Sequence, residues 1–210
     1  MSLSNDAVLN VLKNQFVCGF KNITGEAYAG KSGHHDTDAP AVVTTNGAGP
    51  HNVQMFILNT DGIVLHCLPG YWAPHDLLFE MRFAAGLDRL WRNPGLDDAA
   101  KRDLFKKANL TVIRQAPKDM LERSHLQSFD AKHELAKPNS DFRYKAGDYH
   151  PPVHLAKHDN LKTTDQVVHE RMAQRPFLTY EDFDVESFSN YGKNRYDKKE
   201  ETREGGTKKK

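Results

Sequence analysis

Two apolar runs dominate the pattern of the chain. Val53-Gln54-Met55-Phe56-Ile57-Leu58 and Ile63-Val64-Leu65-His66-Cys67-Leu68 flank Asn59-Thr60-Asp61-Gly62, and an Asp-Gly turn between two strand-length segments predicts a β-hairpin. The runs are apolar at nearly every position, as in strands covered on both faces. After Leu68-Pro69-Gly70-Tyr71-Trp72 a helix is predicted from Pro74, where a missing N–H costs nothing and Asp76 sits favourably in the first turn. Leu77, Leu78, Met81, Ala84, Ala85 and Trp91 then recur at helical spacing, so this helix packs on the sheet. Upstream, Asn5-Asp6 caps a short helix that carries Ala7, Val8, Val11 and Leu12 on one face. Residues 15–23 alternate, with Phe16, Cys18 and Phe20 on one side and Val17 on the other, and read as a strand closed by Thr24-Gly25.

Beyond the predicted sheet, Asn93-Pro94-Gly95 breaks the helical pattern and Asp97 caps a second helix through Ala99, Leu104, Phe105 and Ala108, reaching toward Gln115 before Pro117. A third short helix is predicted around residues 120–129. From Lys137 the pattern dissolves, apart from a helical stretch over residues 164–172. The tail keeps Phe177, Tyr180, Phe183, Phe188 and Tyr191, which marks it as an arm wrapped on the body rather than free disorder. The organisation expected is a core over 1–92 with a long loop over 24–52, a helical segment over 93–130, and an extended arm over 131–210 that ends in a basic tail, 194–210. Loops of that length inside a compact domain tend to be functional.

Composition narrows the classes. The 210 residues suffice for one domain with an extension, and the apolar share of 38% is low enough that part of the chain must run over the surface. Net charge is +1, and the basic excess is confined to the tail from Asn194, so the body is not built to bind polyanions and no nucleic-acid partner is expected. No window is apolar over the length that a membrane span needs. The N-terminus lacks the basic and apolar regions of a signal peptide, which places the chain in the cytoplasm by default, or in the periplasm or outside the cell if a leader was removed. Two cysteines cannot build a disulfide scaffold, and no C-x-x-C occurs.

The order helix, strand, connection, hairpin and Pro-started helix resembles the second half of a thioredoxin-like domain. Phe56-Ile57-Leu58-Asn59-Thr60-Asp61-Gly62-Ile63-Val64-Leu65-His66, followed by Pro69-Gly70-Tyr71, is similar to the last hairpin and glycine turn of bacterial members of that superfamily. The resemblance covers residues 5–91 and implies an α/β fold, a thioredoxin-like sheet with flanking helices, here joined to a helical segment and a partly irregular arm. The departures bear on activity. The family's oxidoreductases carry C-x-x-C at a helix start, where the helix N-terminus and the neighbouring thiol make one cysteine nucleophilic. This chain has none, and Pro50 is at best a displaced counterpart of the family's cis-proline. Dithiol exchange is therefore not expected.

In that topology the loop over 24–52 and the end of the second hairpin strand meet at one end of the sheet, where open α/β sheets hold ligands. His34, His35, Asp36 and Asp38 would converge there with His51, Cys67, Tyr71, Trp72 and His75. Imidazoles with a carboxylate suit zinc or copper; the competing reading of His34-His35-Asp36 is a solvated loop tip. His66 reads first as a core histidine and second as a ligand-binding group. Cys18 and Cys67 alternate with large apolar neighbours and read first as small buried hydrophobes; the alternatives are a Cys18–Cys67 disulfide or a reactive thiol with His66 or His51 as base. His150, His154 and His158 repeat every four residues, but Pro151-Pro152 interrupts the helix that would align them. His169-Glu170 lacks the second histidine of an H-E-x-x-H zinc site, since Ala173 stands there. Nucleotide-binding and serine-hydrolase motifs are missing. The function expected is a binding or assembly module without dithiol chemistry, with a metal, a protein partner or a second copy as ligand. The alternative is a thiol- or metal-dependent oxidoreductase using Cys18 or Cys67.

Overall fold

A computed structural model describes residues 2–29, 44–48, 53–151 and 160–189. Among them the protein is a mixed α/β structure of seven α-helices and one two-stranded antiparallel sheet. β1 (Gln54–Leu58) and β2 (Val64–Pro69) form the predicted hairpin, with Phe56 opposite Cys67 and Ile57 opposite His66. The turn forms because the Asn59 side-chain carbonyl accepts from the amides of Asp61 and Ile63, both at 2.9 Å, while Gly62 takes φ of 77°. Gly70 ends β2 for a stricter reason: a Cβ there would lie 2.3 Å from the Ala48 carbonyl oxygen.

Helix α1 (Asp6–Gln15) starts where the Asn5 side chain accepts from Ala7 and Val8 amides. Helix α2 (Pro74–Trp91) begins on its proline and buries Leu77, Met81, Ala84 and Leu87. Helix α3 (Asp98–Val112) is capped by Asp97. Two short helices, α4 (Lys118–Arg123) and α5 (Ser128–Ala136), stand where one was expected. Helix α6 (Thr164–Ala173) crosses α3, and α7 (Val185–Ser189) lies in the C-terminal arm.

All six residues of β2 are buried, which matches its apolar run, whereas β1 is only partly covered. The principal core draws Val8 from α1, Val64 and Leu68 from β2, Leu77 and Ala84 from α2, Phe105 from α3, Met172 from α6 and Phe188 from α7. Burying a side chain such as Leu68 or Phe105 stabilises by about 1.5–3 kcal/mol. The arm contributes directly. Phe177, Phe183 and Phe188 are buried, Phe56 meets the rings of Tyr180 and Phe183 edge-on at 5.0 and 5.5 Å, and the Val64 amide donates to the Leu178 carbonyl.

Two local expectations are corrected. Residues 16–23 form no strand; Val17 and Phe20 stand almost fully in solvent. Alternation alone cannot hold a strand that has no neighbour to pair with, because β-propensity measures packing on a sheet surface. Part of the supposed loop is instead a buried latch. Asn46 is fully buried: its amide nitrogen donates to Asp76 Oδ2 at 2.7 Å and Ser124 Oγ at 3.1 Å, and its oxygen accepts from the Ala73 amide at 2.9 Å. Arg123 closes this network on Asp76 with two hydrogen bonds at 2.7 and 2.8 Å. Asp76 thus does more than complement the helix dipole; it ties the start of α2 to α4 and to residues 44–48.

Candidate metal centre

Inside the sheet–helix layer, three polar side chains meet among apolar neighbours. His66 comes from β2, Glu80 from α2 and His169 from α6. Their exposures are 0%, 0% and 2%, and one ligand atom from each lies within 4.8 Å of the others. His66 Nε2 lies 2.9 Å from Glu80 Oε2; His169 Nε2 lies 3.2 Å from the same oxygen and 3.3 Å from Oε1. The two imidazoles stack at 5.0 Å with their planes 17° apart, so both present Nε2 to the carboxylate. Phe83 covers the pair, its ring edge-on to His66 at 5.7 Å and to His169 at 4.9 Å.

Local structure accounts for each placement. Glu80 falls between Leu77 and Ala84 on the apolar stripe of α2, three residues after one and four before the other, so helical periodicity forces it inward. His66 alternates with Leu65 and Cys67 in a strand buried on both faces. Helix α6 buries Asp165, Gln166, His169 and Arg171 along with Val167, Val168 and Met172. A helix so polar and yet so buried is held by its partners rather than by an apolar stripe.

Asn109 of α3 determines how His169 is protonated. Its amide nitrogen donates to the Phe105 carbonyl at 3.1 Å, which fixes the amide's orientation, and its oxygen lies 2.9 Å from His169 Nδ1. That oxygen can only accept, so Nδ1 carries the hydrogen. In a neutral imidazole Nε2 is then a bare lone pair 3.2 Å from a carboxylate oxygen. Two acceptors at that distance need a positive particle between them, either a proton or a metal ion.

The electrostatics agree. Burial pushes the Glu80 carboxyl up, but the charge and hydrogen bond of His169 and the hydrogen bond of His66 overcome it and hold the group down at about 2, firmly as carboxylate. Burial pushes the His66 imidazole below its ordinary range despite the Glu80 hydrogen bond and charge, so His66 stays neutral. A buried carboxylate without a cationic partner costs several kcal/mol. Close by, Asp165 is 1% exposed and neither carboxylate oxygen has a hydrogen-bond partner among the described residues. Burial raises it to about 6; the Thr163 hydroxyl and Gln166 amide favour its anion without reaching hydrogen-bond geometry, and His169 and Glu80 act on it through their charge.

Of the residues weighed in the sequence, His66 and His169 belong to this cluster. Cys67 is fully buried, and burial pushes its thiol well up, the environment of an unreactive cysteine. Cys18 is exposed instead of buried, and both cysteines are free, which overturns the Cys18–Cys67 disulfide and the buried reading of Cys18. The missing strand over 15–23 is the reason, since no sheet surface covers Cys18. Trp72 is a core side chain whose indole donates to the Pro69 carbonyl at 3.0 Å, and Tyr71 is half-buried beside it. His34, His35, Asp36, His51 and Pro50 lie outside the described residues, as do His154 and His158. His150 stacks on Tyr144 at 4.1 Å. Sequence reasoning missed Glu80, Asn109 and Asp165, and set His169 aside because Ala173 stands where an H-E-x-x-H motif needs its second histidine. The signal was a glutamate inside the apolar stripe of α2 opposite a histidine inside an apolar strand.

Comparison of this chain with protein-family models, curated proteins and solved structures finds no match.

Proposed function

We propose that the protein is a metal-binding module in which His66, Glu80 and His169 hold a divalent transition metal, zinc in the first instance. The observation that carries this reading is the opposed pair of acceptors, His169 Nε2 and Glu80 Oε2 at 3.2 Å, with a second imidazole nitrogen 2.9 Å from the same oxygen. Glu80 already holds the ionised state that metal ligation requires and His66 is neutral; on binding, the ion takes the place of the proton between His169 Nε2 and Glu80, and the His66 hydrogen leaves Nε2, so metal uptake releases protons and strengthens as pH rises. Asn109 supplies the outer hydrogen bond that metal-bound histidines commonly have. Two imidazoles and a carboxylate suit zinc, copper(II) or iron(II), and no thiolate joins the cluster to favour copper(I). Enclosure on every side directs the ion's role to structure: it would cross-link β2, α2 and α6 and so brace a binding or assembly scaffold.

The test is elemental analysis of protein purified without chelator, alongside Glu80→Gln and His169→Gln. About one zinc per chain in the parent and loss in both variants supports the reading. Metal-free protein whose thermal unfolding is indifferent to added zinc, cobalt or iron(II) contradicts it.

A further inference from the structure

Asp165 stands in the first turn of α6, where the helix N-terminus favours an acid, yet nothing there accounts for its full burial. It is 1% exposed, its two oxygens lack hydrogen-bond partners among the described residues, and Lys162 and Arg171, the lysine and arginine nearest it in sequence on either side among the described residues, pair with other carboxylates. Lys162 is bound to Asp148 at 2.7 Å and Glu170 at 2.6 Å, and Arg171 to Asp141 at 3.0 Å. A buried carboxylate in that state costs stability, and isosteric neutral residues would relieve the cost. Asp165 lies one helical turn before His169, on the same face of α6, and its charge interacts with both His169 and Glu80.

Charge balance supplies the missing role, given the metal reading above. Two neutral imidazoles and the Glu80 carboxylate around a dication leave an uncompensated positive charge in an enclosed, apolar setting, where such a charge is costly. We infer that Asp165 is the second carboxylate of this centre, a positioning residue whose negative charge completes the neutralisation of a bound divalent ion. It stands outside the three mutually close ligand atoms and acts on the ion through charge. The centre therefore selects dications of zinc, cobalt(II) or iron(II) type over monovalent copper, which two carboxylates would leave with a surplus negative charge.

The experiment pairs a competitive zinc titration with thermal unfolding of metal-free and zinc-loaded protein, for the parent, Asp165→Asn and Asp165→Ser. The two readouts should move in opposite directions in the asparagine variant. Metal-free D165N unfolds at a higher temperature than the metal-free parent, while its zinc affinity falls by about tenfold or more, the scale of an outer-shell partner. The serine variant repeats the affinity loss if asparagine perturbs folding. A merely structural role predicts lower metal-free stability with unchanged affinity, and that result overturns the inference while leaving the metal centre standing. Absence of zinc and cobalt binding by the parent overturns both.

Discussion

His169 donates from Nδ1 to the side-chain oxygen of Asn109 across 2.9 Å, joining α6 to α3 and turning the bare Nε2 of the ring toward Glu80. The consequence reaches beyond packing. With the tautomer fixed, the gap between His169 and Glu80 is one that only a proton or a cation fills.

Replacing Asn109 by leucine should therefore act on the metal more than on the fold. The side chains share heavy-atom count and branching, so leucine fits with modest repacking, but Nδ1 loses its acceptor and the ring its orientation. Zinc affinity is expected to fall about 10–100-fold, measured by competition with a chromophoric chelator. An unchanged affinity would show that Asn109 does not set the tautomer.

The acid response follows from three shifts. Glu80 is held at about 2, below its ordinary 4.5, so its stabilisation is present above pH 4.5 and is lost as pH falls toward 2. His66 is lowered from 6.5, so the unfolded chain takes up its proton first and stability falls as pH drops below 6.5. Asp165 runs the other way: raised from 3.8 to about 6, it contributes stability below pH 3.8 that is lost as pH rises through 6. Denaturant unfolding of metal-free parent and D165N should diverge between pH 4 and 6, in the variant's favour, by at most about 3 kcal/mol. Parallel pH profiles would contradict the assignment.

The thiols should behave unequally. Cys18 is exposed and should react with a thiol reagent in the native protein, whereas Cys67 is enclosed and should react only on unfolding. Rapid reaction of both in the native protein would reopen the oxidoreductase alternative.

Gly86 offers a control away from the centre. It sits inside α2, facing a shallow cleft of about 370 Å³ between α2 and α3, and an added Cβ would meet only the Arg89 guanidinium at 3.7 Å. Gly86→Ala should stabilise by about 1 kcal/mol through helix propensity, read as a shifted denaturation midpoint with unchanged zinc affinity. Destabilisation would mean that the cleft needs the glycine.

Much of the local structure was legible because its causes are local. The Asp61-Gly62 turn, the Asn5 and Asp97 caps and the proline start of α2 each follow from neighbouring residues. The segment over 15–23 was misread because its alternation was genuine but its pairing partner was not there. Phe177, Phe183 and Phe188 of the arm are buried and Tyr180 partly so, as their place in an arm packed on the body implies, whereas α7 was not legible and Tyr191 lies outside the described residues. The centre was hidden for a different reason. His66 and Glu80 are separated by 14 positions, and Glu80 and His169 by 89. Only the packing of α6 against α3 and β2 brings them together. Histidine pairs at motif spacing, such as His34-His35, drew the metal assignment to the loop because spacing rules register local ligands and not those assembled from three elements.

The most direct measurement is an anomalous difference map at the zinc edge, from crystals of the chelator-stripped protein soaked in zinc. The account predicts one strong buried peak about 2.0–2.1 Å from Nε2 of both His66 and His169 and about 2.0–2.2 Å from a Glu80 oxygen. A map without that peak, with His169 Nε2 still in direct contact with the Glu80 carboxylate, would show that a proton fills the gap and that the cluster is an ion pair rather than a metal centre.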